Sequence, residues 1–136
     1  MSSLPFILLV EDDEDDRFFA ERTLGKAGLK SIFHVATGQA AVDYLSGQRG
    51  FADRKKFPLP DIILLDLKIP EISGHQVLEW VRAQPGLEAI AVYILSSSGE
   101  ISDRTRATAA NAAGYFVKPL EVQNVEAVLR KFRERG

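Results

Sequence analysis

The sequence predicts an α/β protein built on a doubly wound, five-stranded parallel sheet with strand order 2-1-3-4-5 and five helices. Five short apolar runs alternate with segments whose apolar residues recur at helical spacing, which is typical of repeated strand and helix units. The apolar runs are continuous, as expected of strands that are covered on both faces. The dominance of right-handed crossovers favours an all-parallel, doubly wound sheet. We expect the order 2-1-3-4-5, which brings the ends of the first, third, fourth and fifth strands to one crevice.

The five predicted strands all lead into polar or charged residues. The apolar run Ile62–Leu65 leads directly into Asp66, and the run that ends at Val10 leads into six consecutive acids. Ligands of open α/β sheets bind at the carboxyl ends of the strands, so these junctions are candidates for a functional site. The predicted strands span residues 6–10, 31–36, 62–65, 90–95 and 115–117.

The helices are predicted from apolar spacing and from residues that favour helix ends. The first runs from about residue 15 to Ala27, ends at Gly28, and is predicted to bury Phe18, Phe19, Thr23, Leu24 and Ala27. The second follows Thr37 and the third carries Val77, Leu78 and Val81. The fourth begins at the N-cap Ser102, and the fifth spans 122–135. Their predicted stops are Gly47 for the second, Pro85 for the third and Gly114 for the fourth.

Residues 46–60 form the longest predicted connection, which is either a loop or a longer second helix followed by a loop. Arg54, Lys55 and Lys56 within it are expected on a solvated surface. Three basic residues without a periodic basic face are a weak sign of nucleic-acid binding. Phe51 and Phe57, together with Tyr115, are candidates for an exposed partner surface, and local burial is an equal alternative for each.

Composition limits the function classes. With 136 residues, 46% hydrophobic and 26% charged, the chain reads as one globular domain over 1–136. The formal net charge of −2 argues against nucleic acid as a partner. There are no cysteines, which excludes disulfides and thiolate metal sites. No basic leader and no apolar run of about 18 residues is present, so we expect a cytoplasmic protein without a membrane partner.

The strand ends together offer carboxylates, a hydroxyl and an ammonium: Glu11, Asp12, Asp66, Ser96 and Lys118. Oxygen ligands of this kind suit Mg²⁺ or Mn²⁺. A carboxylate, a divalent cation, a lysine and a serine suffice for phosphoryl transfer, with Asp66 as the nucleophile. The remaining acids, Glu14, Asp15 and Asp16, are expected to stay solvated at the N-terminus of the first helix.

These residues resemble a known family, the receiver domain of two-component response regulators. The resemblance covers nearly the whole chain. It is carried by Val10-Glu11-Asp12-Asp13, the apolar run into Asp66, Pro70 with Gly74, Leu95-Ser96, and Gly114-Tyr115-Phe116-Val117-Lys118-Pro119.

The resemblance implies a flavodoxin-like receiver fold and a phosphoryl group taken onto Asp66 from a sensor histidine kinase. It implies that Glu11, Asp12, Asp66 and the backbone carbonyl of Lys68 hold Mg²⁺. Ser96 and Lys118 would bind the phosphoryl group, and Tyr115 would be the aromatic switch. The Lys118–Pro119 peptide would be cis.

Two positions depart from the family pattern or extend it. Ser96 lacks the methyl group of the alternative threonine, so we expect looser coupling to Tyr115. Lys68 adds an ammonium near Asp66, which would slow loss of the phosphoryl group either by neutralising charge or by crowding the attacking water.

Two other readings compete with the switch. A phosphatase of the haloacid dehalogenase type also uses a strand-end aspartate with Mg²⁺, but it needs a second acid where Lys68 stands. An adaptor that is never phosphorylated typically lacks one of the five site residues, all of which are present here. We therefore expect a phosphoacceptor with at most slow self-dephosphorylation rather than an enzyme.

The chain ends soon after the last helix, so we expect no output domain and signalling by protein contact. The long 46–60 connection is similar to that of stand-alone regulators paired with bacterial phytochrome kinases, many of which dimerise. That likeness implies a phytochrome-type kinase as partner and a homodimer. The sequence does not identify the downstream target.

Overall fold

The computed structural model describes residues 4–135. Within them, five strands and five helices alternate, and the sheet has the predicted parallel order β2-β1-β3-β4-β5. None of the helices in this range combines the length and the hydropathy that a bilayer crossing requires. The elements are β1 Ile7–Val10, α1 Glu14–Lys26, β2 Ile32–Val35, α2 Gly38–Ser46, β3 Ile62–Leu65, α3 Gly74–Ala83, β4 Ala91–Ser96, α4 Ile101–Ala109, β5 Gly114–Val117 and α5 Val122–Glu134.

The sheet separates two apolar cores, which explains why the strand sequences are apolar without alternation. Leu8 and Val10 of β1 face one core with residues of α2 and α3, whereas Ile7 and Leu9 face the other with residues of α1 and α5. Each fully buried aliphatic side chain of this kind contributes about 1.5–3 kcal/mol. The prediction that Ile62–Leu65 is covered on both faces is confirmed, because all four of its residues are buried.

The prediction that α1 buries its two phenylalanines is wrong. Phe18 and Phe19 are 60% and 56% exposed, and the helix buries Ala20 and Leu24 instead. These two buried residues are four positions apart and share one face, while Phe18 and Phe19 project to other sides. The predicted end of α1 is confirmed, because the helix stops at Lys26 and Gly28 takes a φ of +92°.

The predicted limits of α4 are also wrong. Its N-cap is Glu100 rather than Ser102, and the helix ends at Ala109. Asn111 then takes a left-handed φ of 63°, and the Arg82 guanidinium donates to its carbonyl at 2.8 Å. Gly114 is therefore the first residue of β5 instead of a helix stop. A Cβ there would lie 2.9 Å from the ring of Tyr93, which explains the absence of a side chain.

The connection from α2 to β3 is a loop without a longer second helix. Gly47 ends α2 with a φ of 74°. Phe51 and Phe57 are half-buried and pack on each other with ring centroids 5.1 Å apart, so of the two alternatives local burial applies to both. Phe33 and Tyr44 pack against the same pair.

Arg54 does not lie on a solvated surface as predicted. Its guanidinium donates at 2.9 Å to the carbonyls of Tyr44 and Leu45 at the end of α2, and at 3.1 Å to that of Phe57. The last carbonyls of a helix lack the usual donors from the following turn, and here the Arg54 guanidinium supplies donors to two of them. Because it also binds the Phe57 carbonyl, this one side chain links the end of α2 to the loop. Its neighbours Lys55 and Lys56 are exposed, as expected.

Candidate functional site: an acidic cluster at the strand ends

Four strands of the sheet place polar side chains at the same edge. The parallel registers align Val10 with Leu65, and Leu65 with Ile94. Backbone hydrogen bonds continue past the strands, from the Asp66 amide to the Val10 carbonyl at 3.1 Å and from the Lys118 amide to the Ser96 carbonyl at 2.8 Å. Glu11, Asp66, Ser96 and Lys118 are thereby fixed through the backbone.

The ammonium of Lys118 is the centre of the cluster. Its Nζ lies 2.7 Å from Glu11 Oε1, 2.8 Å from Asp16 Oδ2 and 2.9 Å from Asp66 Oδ2. Burial lowers the pKa of Lys118, but the hydrogen bonds to Asp16, Glu11 and Asp66 outweigh it and raise the pKa above its ordinary value. The lysine is thus a permanent cation beside Asp66.

Glu11 is the most buried of the acids, with 2% of its surface exposed. Burial raises the pKa of Glu11 to about 7, although the hydrogen bonds from Lys118 and from the Asp13 amide lower it. His34, which lies in β2, places its Nε2 2.6 Å from the Glu11 carbonyl oxygen, so the backbone of Glu11 is fixed as well. A carboxylate in such a position gains from an additional cation.

Three carboxylates form a pocket of oxygen ligands. One oxygen each from Glu11, Asp12 and Asp66 lie within 4.8 Å of one another. Asp12 is exposed, so solvent reaches the cluster from that side. Mg²⁺ prefers a few carboxylates and keeps several waters, and this arrangement fits it. The amide of Lys68 donates to Asp66 Oδ1 at 3.2 Å, which places the backbone of Lys68 beside the cluster.

Asp16 was not predicted to belong to the site. It binds Lys118 instead of remaining only solvated at the helix N-terminus, so that expectation is wrong. Asp16 lies in the first turn of α1, three residues after the N-cap Asp13. Its contact with Lys118 joins residues 102 positions apart and is set by the fold, so no local signal in the sequence indicates it.

The loop after Asp66 is closely packed against it. The Gly74 amide donates to the Leu67 carbonyl at 2.9 Å, and a Cβ on Gly74 would lie 2.2 Å from the Asp66 carbonyl oxygen. Ser73 and Gln76 then form a capping box that starts α3. Glycine is therefore the residue that allows α3 to begin so close to Asp66.

Ser96 and Tyr115 lie on the side of the site next to α4. Ser96 is fully buried, and its Oγ accepts from the Ser98 amide at 3.2 Å. The Tyr115 hydroxyl donates to the Ser98 carbonyl. Tyr115 is half-buried rather than exposed, and its ring lies under the Arg104 guanidinium at 4.7 Å. The Lys118–Pro119 peptide is cis.

Comparison with known proteins is consistent with this geometry. The family model described as the response regulator receiver domain matches residues 7–130. The probable methanogenesis regulatory protein FilR2 of Methanothrix harundinacea is 33% identical over 132 residues, which cover 96% of this chain and 83% of that protein. The chain spans about half the length of several other curated relatives, such as the 53% matched in the transcriptional regulatory protein PhoB of Rhizobium meliloti.

Three similar solved structures carry further information. The bacteriophytochrome response regulator RtBRR has a TM-score of 0.82 and 36% identity, covering 94% of this chain and 77% of that one. The phosphorylated cyanobacterial phytochrome response regulator RcpA has a TM-score of 0.78 and 27% identity, covering 97% and 93%. The receiver domain of sensor histidine kinase PA1611 from Pseudomonas aeruginosa, with magnesium in its active-site cleft, has a TM-score of 0.76 and 26% identity, covering 95% and 97%.

Proposed function

The chain belongs to the response regulator receiver-domain family, and on that premise we propose that Asp66 accepts a phosphoryl group from a phosphohistidine of a sensor histidine kinase. The observation that carries this assignment is the contact of Asp66 Oδ2 with Lys118 Nζ at 2.9 Å, inside a cluster that also contains Glu11 and Asp12. A carboxylate held beside a permanent cation is a suitable phosphoryl acceptor.

The reaction needs positioning and charge neutralisation more than covalent assistance. An oxygen of Asp66 attacks phosphorus, the bond from phosphorus to the histidine nitrogen breaks, and its electron pair returns to the imidazole, which takes up a proton. Lys118 is already within hydrogen-bond distance of Asp66 and would stabilise charge on the phosphoryl oxygens.

Glu11, Asp12, Asp66 and the Lys68 carbonyl would hold Mg²⁺ or Mn²⁺. When bound, the cation supplies neutralisation of the phosphoryl oxygens. The three carboxylates support this part of the proposal because their oxygens converge within 4.8 Å. Their mutual repulsion also favours a divalent cation over an empty cluster.

Phosphorylation would be read through Ser96 and Tyr115. The Ser96 oxygen accepts from the Ser98 amide, which leaves its own hydrogen available to a phosphoryl oxygen. A movement of Ser96 would then change the Ser98 carbonyl that binds Tyr115. The surface around Tyr115 is therefore the proposed output of the switch, and protein contact is the proposed means of signalling.

Neither competing function is favoured. The position two residues after Asp66 is Lys68, whose side chain is exposed and cannot act as the acid that a haloacid dehalogenase phosphatase needs there. An adaptor that is never phosphorylated typically lacks one of the five site residues, whereas all five are present here and Lys118 contacts both Glu11 and Asp66. We propose a switch that loses its phosphoryl group only slowly by itself.

The test uses the full chain with Mg²⁺ and acetyl phosphate. Intact mass should show the gain of one phosphoryl group, and Asp66→Asn should show none. Asp15→Asn is the matched control, because Asp15 is an exposed acid of the same acidic run and should label like the unmodified chain. Undiminished labelling of Asp66→Asn would refute the assignment. The decay of the labelled protein after donor removal measures self-dephosphorylation.

We further propose a phytochrome-type kinase as the phosphoryl donor and a homodimer as the working form. Similarity to two phytochrome response regulators supports the first. The exposed apolar side chains of Ile101 and Val117, on neighbouring elements α4 and β5, support the second. Transfer from a phosphorylated phytochrome kinase tests the donor. Light scattering at two concentrations, where a constant monomer mass is the contrary result, tests the dimer.

A further inference from the structure

A buried histidine ties the start of α3 to the start of α4. His75 is 8% exposed, and its Nε2 lies 3.0 Å from Asp103 Oδ1. An ionised carboxylate only accepts, so Nε2 carries the hydrogen of this bond. Hydrogen bonds from Ser98 and His75 lower the pKa of Asp103, which keeps it ionised.

The other ring nitrogen of His75 has no evident structural purpose. Within residues 4–135, His75 Nδ1 is a buried side-chain nitrogen without a hydrogen-bond partner. A buried polar atom without a partner costs free energy. A leucine would avoid that cost, but it would also remove the bond from Nε2 to Asp103, so the role of the histidine lies in that bond.

Asp103 connects this histidine to the loop that follows β4. Its Oδ2 accepts from Ser98 Oγ at 2.6 Å. His75, Ser98 and Asp103 together form a connected group that we call the polar clasp. Ser98 in turn contacts both proposed switch residues, since its amide donates to Ser96 Oγ and its carbonyl accepts from the Tyr115 hydroxyl.

The same turn of α4 also contacts the Tyr115 ring. Arg104, the residue after Asp103, places its guanidinium carbon 4.7 Å from the ring centroid. One turn of α4 therefore holds Tyr115 in two ways, by a cation over its ring and by the loop that binds its hydroxyl. A displacement of this turn would release both contacts together.

We propose that Asp103, oriented by His75, is a positioning residue for the switch, which holds Ser98 where its carbonyl binds the Tyr115 hydroxyl. The regulatory meaning of this contact rests on the proposed function, because Tyr115 reports phosphorylation only if Asp66 is phosphorylated. The contact itself is independent of any donor. The polar clasp thereby determines the fraction of unphosphorylated protein in which the Tyr115 hydroxyl is bound to the Ser98 carbonyl.

The test is fluorine NMR of the protein labelled with 3-fluorotyrosine, without a phosphodonor. The chain has three tyrosines; Tyr115→Phe assigns the Tyr115 signal, and the buried Tyr44 and Tyr93 serve as internal references. In Ser98→Ala and Asp103→Ala, the ratio of bound to released Tyr115 should fall by about tenfold, as expected for loss of a hydrogen bond to a charged group. His75→Leu should change the signal in the same direction.

The matched control is Glu79→Gln. Glu79 pairs with Arg106 at 2.9 Å and also joins α3 to α4, but this pair is exposed and does not reach Ser98. The Tyr115 signal of the Glu79→Gln variant should equal that of the unmodified protein. An equal change in Glu79→Gln would overturn the proposal in favour of general loosening between the helices.

An unchanged Tyr115 signal in both Ser98→Ala and Asp103→Ala would also overturn it. If Asp103→Ala disturbs all three tyrosines, Ser98→Ala decides, because it removes only a hydroxyl. Labelling of the same samples by acetyl phosphate is followed separately by mass. A protein that fails to label refutes the proposed function while leaving the fluorine result intact.

Discussion

The carboxylate of Asp16 lies 2.8 Å from the Lys118 ammonium, at a point where Glu11 and Asp66 bind the same nitrogen. The lysine is thus shared by three acids before any phosphoryl group arrives. Asp16 is the most accessible of the three, with 41% of its side chain exposed. It would compete with a phosphoryl group on Asp66 for this ammonium and would repel the incoming anion.

We expect Asp16→Asn to react with acetyl phosphate about two- to fivefold faster at low ionic strength, with a smaller gain in high salt, because the partly exposed Asp16 carboxylate repels the anionic donor and salt screens this repulsion. Initial labelling rates at two salt concentrations measure the effect, and Asp15→Asn controls for loss of charge. A slower reaction would mean that Asp16 is needed to orient Lys118.

Gly74→Ala should damage both the site and the fold. The new Cβ would lie 2.2 Å from the Asp66 carbonyl oxygen and 2.6 Å from Leu67 Cα, and backbone atoms cannot yield cheaply. We expect a loss of about 1–3 kcal/mol in the free energy of unfolding and a labelling rate reduced on the order of a hundredfold. Urea denaturation and intact mass provide the two readouts.

The control for this substitution is Gly25→Ala in α1, where a Cβ meets nothing within 4 Å. Because alanine is the better helix former, it should raise stability by about 0.5–1 kcal/mol and leave labelling unchanged. Normal labelling by Gly74→Ala would show that α3 can withdraw without moving Asp66.

Arg54→Lys tests whether the connection from α2 to β3 depends on one guanidinium. A lysine keeps the charge but lacks the planar fork whose two terminal nitrogens reach the carbonyls of Tyr44, Leu45 and Phe57. We expect the free energy of unfolding to fall by about 2–4 kcal/mol, since several half-buried carbonyls lose their partner. Urea denaturation measures this fall.

Exposed Lys55 offers the comparison for Arg54. Its replacement by alanine should change stability by no more than about 0.5 kcal/mol. Equal stability of Arg54→Lys and Lys55→Ala would show that the aromatic side chains alone hold the segment.

Phe18→Gln and Phe19→Gln should each leave stability nearly unchanged, because both rings are more than half exposed. Leu24→Ala, in contrast, should cost about 2–5 kcal/mol, since Leu24 is 1% exposed in the core under α1. Denaturation midpoints of the three variants can be compared directly. A phenylalanine as costly as Leu24 would mean that α1 is rotated about its axis.

The topology and much of the site could be predicted because both follow from strands. Ile62–Leu65 had to be covered on both faces, and a parallel sheet brings the residues after such strands to one edge. Glu11, Asp66 and Lys118 are therefore neighbours in the structure, as their positions in the sequence suggested. Local chemistry and topology agree at each of these positions.

The incorrect predictions concern side chains whose positions depend on residues that are distant in the sequence. Phe18 and Phe19 are apolar, but the phase of α1 is set by the close packing of Ala20 and Leu24. Arg54 is charged, yet unpaired carbonyls at the end of α2 attract it inward. The alanines before Gly114 carry no end signal, and the turn at Asn111 is fixed by Arg82 from another helix.

The loop that connects α2 to β3 leads into the first residue of β3, whereas Asp66 follows the last residue of that strand. Chain inserted there is separated from the acidic cluster by the full length of the strand. The tip around Gly50, which has a φ of +95° and open space about it, is therefore a suitable place for a fluorescent reporter or an affinity tag. Such a fusion would allow the protein to be tracked in a cell without altering the acidic cluster around Asp66.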